Sequence, residues 1–459
     1  MKRLYSTKLY WLPVWILILS CNIAFAQKGD AYEMTVSGVK VIVQPSGNQI
    51  LEIQTIIKGG VQNYEASKQG IESLAMTALT ECATKNDSKN SFKNKLDKVS
   101  AQVYANASKD YSTISMNCIK TDFDHVWPLY ADAITVPIFD EKEFDRIKQD
   151  AINGVRSQES QPDFAISNMA TQIAFAGKDN AKRPEGTVAT LTKLTAAETK
   201  AYYNSVCTKA RMLIVVVGEI DRVELEQKIA AMLAAVPEGK PFTLKKEMIA
   251  PSNNSFKAEK KDFATNYIQG ITSAPAPGTP DFNAFNLAMR IFSQRHFLEV
   301  RTKNGLSYAP GSWFDGGSSP SANISVSTTD PNKYIGVVKA LIDKTKKEGF
   351  TDDELRNMKT QYLTGFFYRQ ETNNAQANSL VANEVLHNNW KRALTISDDM
   401  KKVTLTELNT TFNKYIKNMV WAYQGNPSKA NATLFIANIK SEAPKIILPK
   451  TKITNNKKG

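Results

Sequence analysis

The chain has 459 residues, 42% of them hydrophobic and 22% charged, a balance that excludes a disordered polymer and a length too great for one hydrophobic core, so at least two domains are required. Its formal charge is +13, or +10 once Lys2, Arg3 and Lys8 are removed with a leader. The lysines alternate with acids, as in Glu141-Lys142-Glu143, and only 445–458 is strongly one-signed, so the charge reads as a solvated surface and no nucleic-acid partner is expected.

Residues 1–26 have the layout of a secretory signal: the basic Lys2, Arg3 and Lys8, an apolar run over 9–20, and Ala24-Phe25-Ala26 before Gln27. Cleavage after Ala26 predicts export to the periplasm. A second reading takes Ile18-Leu19-Ser20-Cys21 as a lipid-attachment box that tethers the chain to a membrane through Cys21, although Leu19 fits that box poorly. No other stretch is apolar enough to span a bilayer. Cleavage leaves Cys82, Cys118 and Cys207, too few and too widely spaced for a disulfide framework, which predicts buried free thiols.

In chain order, strand-like 49–57 runs into Gly59-Gly60 and then a helix with Ile71, Leu74, Ala75, Ala78 and Leu79 on one face. Segments 101–107 and 112–118 alternate as a hairpin. Around Asp140 an N-capped helix is predicted, with Glu141 and Glu143 in the first turn, where free amides and the helix dipole favour acids. The apolar run Leu213 to Val217 predicts a buried strand, and a Pro-, Lys- and Asn-rich stretch after it reads as a linker. Beyond it the pattern returns: a strand at 266–273, a helix with Phe285, Leu287, Ala288 and Ile291, and a hairpin at 307–314 and 322–328. Phe139, Glu141, Glu143, Phe144, Ile147 and Lys148 lie over Phe350, Asp352, Glu354, Leu355, Met358 and Lys359, and Gln158-Glu159-Ser160 matches Gln370-Glu371-Thr372 after a one-residue shift. Two copies of one unit are therefore expected, at 31–240 and 263–442, with a linker at 241–262 and a Lys-rich tail at 443–459. Strand and helix blocks without steady alternation indicate an α+β fold, helices covering largely antiparallel sheets.

On Gly59-Gly60, on Gly70-Ile71 opening a helix, and on the segment from Phe297 to Tyr308, the chain resembles the insulinase/pitrilysin family of zinc peptidases over about 39–439. The resemblance implies two homologous domains that form half of a clam-shell chamber. It also places the family's two zinc histidines at Ser73 and Thr77, its general-base glutamate at Met76 and its third ligand at Gly154. None can serve: hydroxyls hold zinc poorly, a thioether takes no proton, and glycine has no side chain. His125, His296 and His387 are too far apart in sequence to replace them, and His125 reads as a surface or helix-start residue. No cofactor is thus expected in this chain, and zinc only in a partner.

Other family equipment is kept. By the resemblance, Arg301 reaches the substrate through its planar fork and Tyr308 donates to a developing oxyanion; the plainer reading makes Arg301 a helix-end cap and Tyr308 a half-buried strand residue. Segment 103–107 resembles the edge strand that receives peptides, with Ala105, Asn106 and Ala107 as substrate contacts; the alternative is an ordinary hairpin with a turn-forming Asn106. The expected function is that of a non-catalytic subunit, paired with a zinc-bearing homologous subunit in a heterodimer that cleaves peptides. A scaffolding subunit without a role in proteolysis is the alternative, and a stand-alone zinc peptidase a third reading.

Overall fold

The computed structural model describes residues 30–438; the expected leader with Cys21 and the Lys-rich tail lie outside the described residues. The first half contributes β1 (Tyr32–Val36), β2 (Val39–Gln44), β3 (Ile50–Lys58), β4 (Ala83–Thr84), β5 (Gln102–Ala107), β6 (Tyr111–Ile119), β7 (Pro137–Ile138) and β8 (Met212–Val217). Apart from the small β4/β7 ribbon, these form a sheet in the order β1-β2-β8-β3-β6-β5, antiparallel except where β2 runs alongside β8. The second half contributes β9 (Ser255–Lys260), β10 (Asn266–Thr272), β11 (Gly311–Asp315), β12 (Ser321–Thr328) and β13 (Val420–Gly425). Their order is β11-β12-β10-β13-β9, antiparallel except for β13 alongside β9.

With β1 set aside, the two sheets have one topology: β2, β3, β5, β6 and β8 hold the places of β9, β10, β11, β12 and β13. The short sequence repeat is thus the visible part of a duplicated unit. The expected linker at 241–262 needs correction, because Ser255–Lys260 within it is β9, paired with β13 from Ser255↔Val420 to Lys260↔Gly425. Only Phe256 of this edge strand packs on the core while Lys257, Glu259 and Lys260 are exposed, and charged edge strands resemble linkers in composition. The expected strand at 307–314 begins only at Gly311, because Pro310 has no amide hydrogen to give a ladder.

Helices α1 (Ile71–Glu81), α2 (Glu141–Ser160) and α3 (Pro162–Ala174) of the first half correspond to α4 (Asp281–Phe297), α5 (Asp352–Arg369) and α6 (Asn373–His387) of the second. Asp140 caps α2 by accepting from the Glu143 amide at 3.0 Å, and Thr351 and Glu354 close a reciprocal capping box on α5. Leu74, Ala75, Ala78 and Leu79 of α1 pack with Val41, Ile53, Ile214 and Val216 of the first sheet. Phe285, Leu287, Ala288 and Ile291 of α4 do the same with Ile268, Ile324 and Trp421 of the second.

The opposite faces are covered by exchange. Ala377, Leu380 and Val381 of α6 cross to the first sheet and pack with Ile42, Ile56, Leu213, Val215 and Val217. Ile166 and Ala170 of α3 cross to the second sheet and pack with Ile271 and Ala422. β8 is therefore buried on both faces, which is why it reads as an unbroken apolar run. Polar latches fix the crossing: Asn373 donates to the Ile50 carbonyl at 2.6 Å, Lys40 pairs with Glu384 at 2.6 Å, and the Ser318 amide donates to Asp110 at 3.2 Å between the two hairpin tips.

Candidate functional site

Ser73 and Thr77 stand one turn apart on α1, half-buried, and Gly154 faces them from α2; all three line one pocket of about 410 Å³. The Thr77 hydroxyl donates back to the Ser73 carbonyl at 3.0 Å, so it is turned into its own helix. Met76 does not join them; it is fully buried in the core between α1 and the sheet.

The residues present do not fit a zinc ion. The pocket's acids are Glu81, Asp150 and Glu185, and each already has a cation. Glu81 holds Lys93 at 2.6 Å and Arg146 at 3.1 Å, Asp150 holds Arg146 at 2.8 Å, and Glu185 holds Arg183 at 2.9 Å. The Arg146 guanidinium itself lines the cavity between Glu81 and Asp150, so these carboxylates are already neutralised by a resident cation that a metal ion would have to displace. Among the described residues no group of three or more His, Cys, Asp or Glu is arranged to hold a metal ion. His125 is exposed on a helix, His296 is buried against Tyr334 and Ser312, and His387 packs on Phe282.

Ala105, Asn106 and Ala107 lie on β5, which pairs with β6 alone and so forms the sheet's edge. Asn106 is exposed, and Ala105 and Ala107 pack on the core that α1 shares. An extended chain laid along this edge would meet unpaired main-chain donors and acceptors on the strand that packs against α1, the helix that carries Ser73.

Arg301 and Tyr308 come together on the second half but do not line that pocket. The segment Leu298–Lys303 is a π-helical extension of α4, and Gly305, at φ +59°, turns the chain back so that Tyr308 meets Arg301. Arg301 lies between the rings of Phe297 and Tyr308. Tyr308 is 78% exposed and belongs to no strand, so the plainer reading of a half-buried strand residue does not hold.

Sequence reasoning missed Glu72. It is 1% exposed and accepts hydrogen bonds from Ser112, Tyr202 and, at 3.2 Å, Asn63, which Arg211 holds at 2.7 Å. Burial pushes its carboxyl up to about 7, against the lowering pull of those donors. The signal was present: Glu72 precedes Ala75, Met76 and Leu79 at helical spacing, on the face that α1 buries. Among the described residues no helix is long and apolar enough to cross a membrane.

Two family profiles match the chain and together span more than half of it: "Insulinase (Peptidase family M16)" over residues 46–187 and "Peptidase M16 inactive domain" over residues 193–362. A Bacillus subtilis protein named uncharacterized zinc protease YmxG is 20% identical over 319 residues, 68% of this chain and 78% of that one. Among solved structures, a Pseudomonas fluorescens protein described as a peptidase M16 inactive domain superposes with a TM-score of 0.78 at 19% identity, covering 86% of this chain and 98% of that one. The periplasmic protease PqqL of Escherichia coli superposes with a TM-score of 0.75 at 15% identity, covering 87% of this chain and 46% of that one. At these identities the structural likenesses establish the two-unit α+β fold.

Proposed function

Because the chain belongs to the insulinase (M16) peptidase family, we propose that it serves as the non-catalytic subunit of a peptide-degrading heterodimer whose zinc is held by a homologous partner. One observation carries the reading. Where the family's metal site should lie, Ser73, Thr77 and Gly154 line a pocket whose acids are all ion-paired, while on the other half Tyr308 is exposed with Arg301 half-buried against it.

In this role the β5 edge with Ala105, Asn106 and Ala107 holds the peptide backbone, Arg301 engages a substrate carbonyl or carboxylate, and Tyr308 supplies a proton donor to charge that develops at the partner's metal. Zinc, when bound by the partner, polarises the scissile carbonyl and activates water. We place the protein in the periplasm, on the strength of the leader-like residues 1–26.

The test is to purify the chain and mix it with a zinc-bearing homologue encoded beside it, following cleavage of a quenched fluorescent peptide library. Activity in the mixture and none in this chain alone is expected. A partner equally active without this chain, or a mixture indifferent to Arg301→Ala and Tyr308→Phe, would sink the proposal in favour of a scaffolding role.

A further inference from the structure

The second half carries its own version of the Ser73 pocket. α4 and α5 stand where α1 and α2 stand, and with β11 they enclose a cleft of about 470 Å³ lined by Arg290, Trp313, Met358, Gln361 and Tyr362 among others. The overlay that sets Ile147 on Met358 sets Asp150 on Gln361, so the acid of the first pocket becomes an amide in the second. The first pocket has three carboxylates around one guanidinium; the second has a guanidinium and no carboxylate.

Arg290 donates to the Asn286 side chain at 2.9 Å and lies over Tyr362, 5.3 Å from the ring centroid. Tyr362 is also the wall of an adjoining cleft of about 380 Å³, which Arg369 lines from one turn pair further along α5. Arg392 approaches the same ring; its Nη2 donates to Asn283 at 3.1 Å, and its Nε is buried without a partner. Among the described residues, none of these three guanidinium groups has a carboxylate within salt-bridge distance, whereas Arg146, Arg183, Arg295 and Arg356 each hold one at 2.8 Å or less. Partial desolvation, and to a lesser degree the like charge of Arg369, pull the Arg290 guanidinium below its ordinary value, although the residue stays in reach of solvent.

We propose that this cleft binds the carboxylate of a peptide, gripped by Arg290 beside the Tyr362 ring, with Arg369 of the adjoining cleft adding to the attraction and a neighbouring apolar residue of the peptide against Trp313. A guanidinium without a carboxylate partner presents a planar fork that matches a carboxylate through two parallel hydrogen bonds, and like charges nearby strengthen the pull on an anion. Trp313, 39% exposed, and Met358 supply the apolar wall that a bare inorganic anion would not use. The site needs no partner subunit, so it stands or falls apart from the heterodimer reading.

The experiment titrates the purified chain, without partner, into a fluorescein-labelled peptide of alternating glutamate and leucine and into its glutamine counterpart, reading anisotropy at low and physiological salt. The glutamate probe is expected to bind at least about tenfold more tightly than the glutamine probe, and Arg290→Gln to weaken it about tenfold, with Arg290→Gln/Arg369→Gln losing more. Lys142→Gln removes the same charge from an exposed site on α2 and is expected to change the affinity less than about twofold. Equal binding of the two probes, no effect of Arg290→Gln at unchanged melting temperature, a loss in Lys142→Gln as large as in Arg290→Gln, or displacement by inorganic phosphate at equal concentration would each overturn it.

Discussion

Arg301 lies over the ring of Tyr308, its Cζ 4.0 Å from the ring centroid, while its Nη1 donates to the Tyr308 main-chain carbonyl at 3.1 Å. The pair holds a phenol ring that is largely exposed at the surface. Tyr308→Phe keeps the ring and the stack, so the melting temperature is expected to move by less than about 1 °C, while cleavage by the reconstituted heterodimer falls by about a hundredfold. Arg301→Ala also loses an exposed cation–π contact of about 0.5–1 kcal/mol. Calorimetry on the chain and kcat/KM on the mixture check both.

The Ser73 pocket lacks uncommitted metal donors, not space. A Cβ at Gly154 would meet nothing within 4 Å. The triple variant Ser73→His/Thr77→His/Gly154→Glu is expected to take up zinc in near-stoichiometric amounts by plasma mass spectrometry, where the natural chain takes up less than about a tenth of an equivalent. Adding Arg146→Gln removes the resident cation and is expected to tighten binding about tenfold.

Glu72 makes stability pH-dependent. Its carboxyl is raised from 4.5 to about 7, chiefly by burial, so between those pH values the folded chain keeps a proton that the unfolded chain has lost. The contribution is therefore full below about pH 4.5, falls as pH rises through the window, and is flat above pH 7. It amounts to a change on the order of 3 kcal/mol. Glu72→Gln cannot ionise, and its stability relative to the natural chain is expected to rise by about 2–3 kcal/mol between pH 5 and pH 8 in urea titrations.

The exchanged helices predict a crossed response. Ile166→Ala is expected to cost about 2–4 kcal/mol, and because Ile166 belongs to the first half but packs with Ile271 and Ala422, hydrogen exchange should quicken in β10 and β13 before β3 and β8. Leu380→Ala, on α6, should do the reverse. Loss of protection confined to the mutated half would contradict the exchange.

Burial pushes the thiols of Cys82 and Cys207 up to about 11 and that of Cys118 up to about 12. An aromatic disulfide reagent at pH 8 is expected to titrate none of the three in the native chain and all three in guanidinium chloride.

The units were legible because duplication leaves the same pattern twice, and the caps at Asp140 and Thr351 are chemistry that local sequence dictates. β9 was not legible, since an edge strand bearing Lys257, Glu259 and Lys260 has the composition of a loop. The crossing of α3 and α6 could not be read either, because an apolar helical face says that something covers it and not which sheet does. Of the four positions the family resemblance named, Ser73, Thr77 and Gly154 share one pocket while Met76 is turned into the core, where a thioether packs well. Arg146, which occupies Glu81 and Asp150 of the pocket, stood in the sequence as an ordinary member of a capped helix.

The mutual loan of α3 and α6 ties the two described units to each other. Swinging one half away from the other would strip Leu380 and Val381 from the first sheet and Ile166 from the second at once. The two described units are therefore expected to move as one body, and in the proposed heterodimer a gate that admits a peptide would open along the seam with the partner.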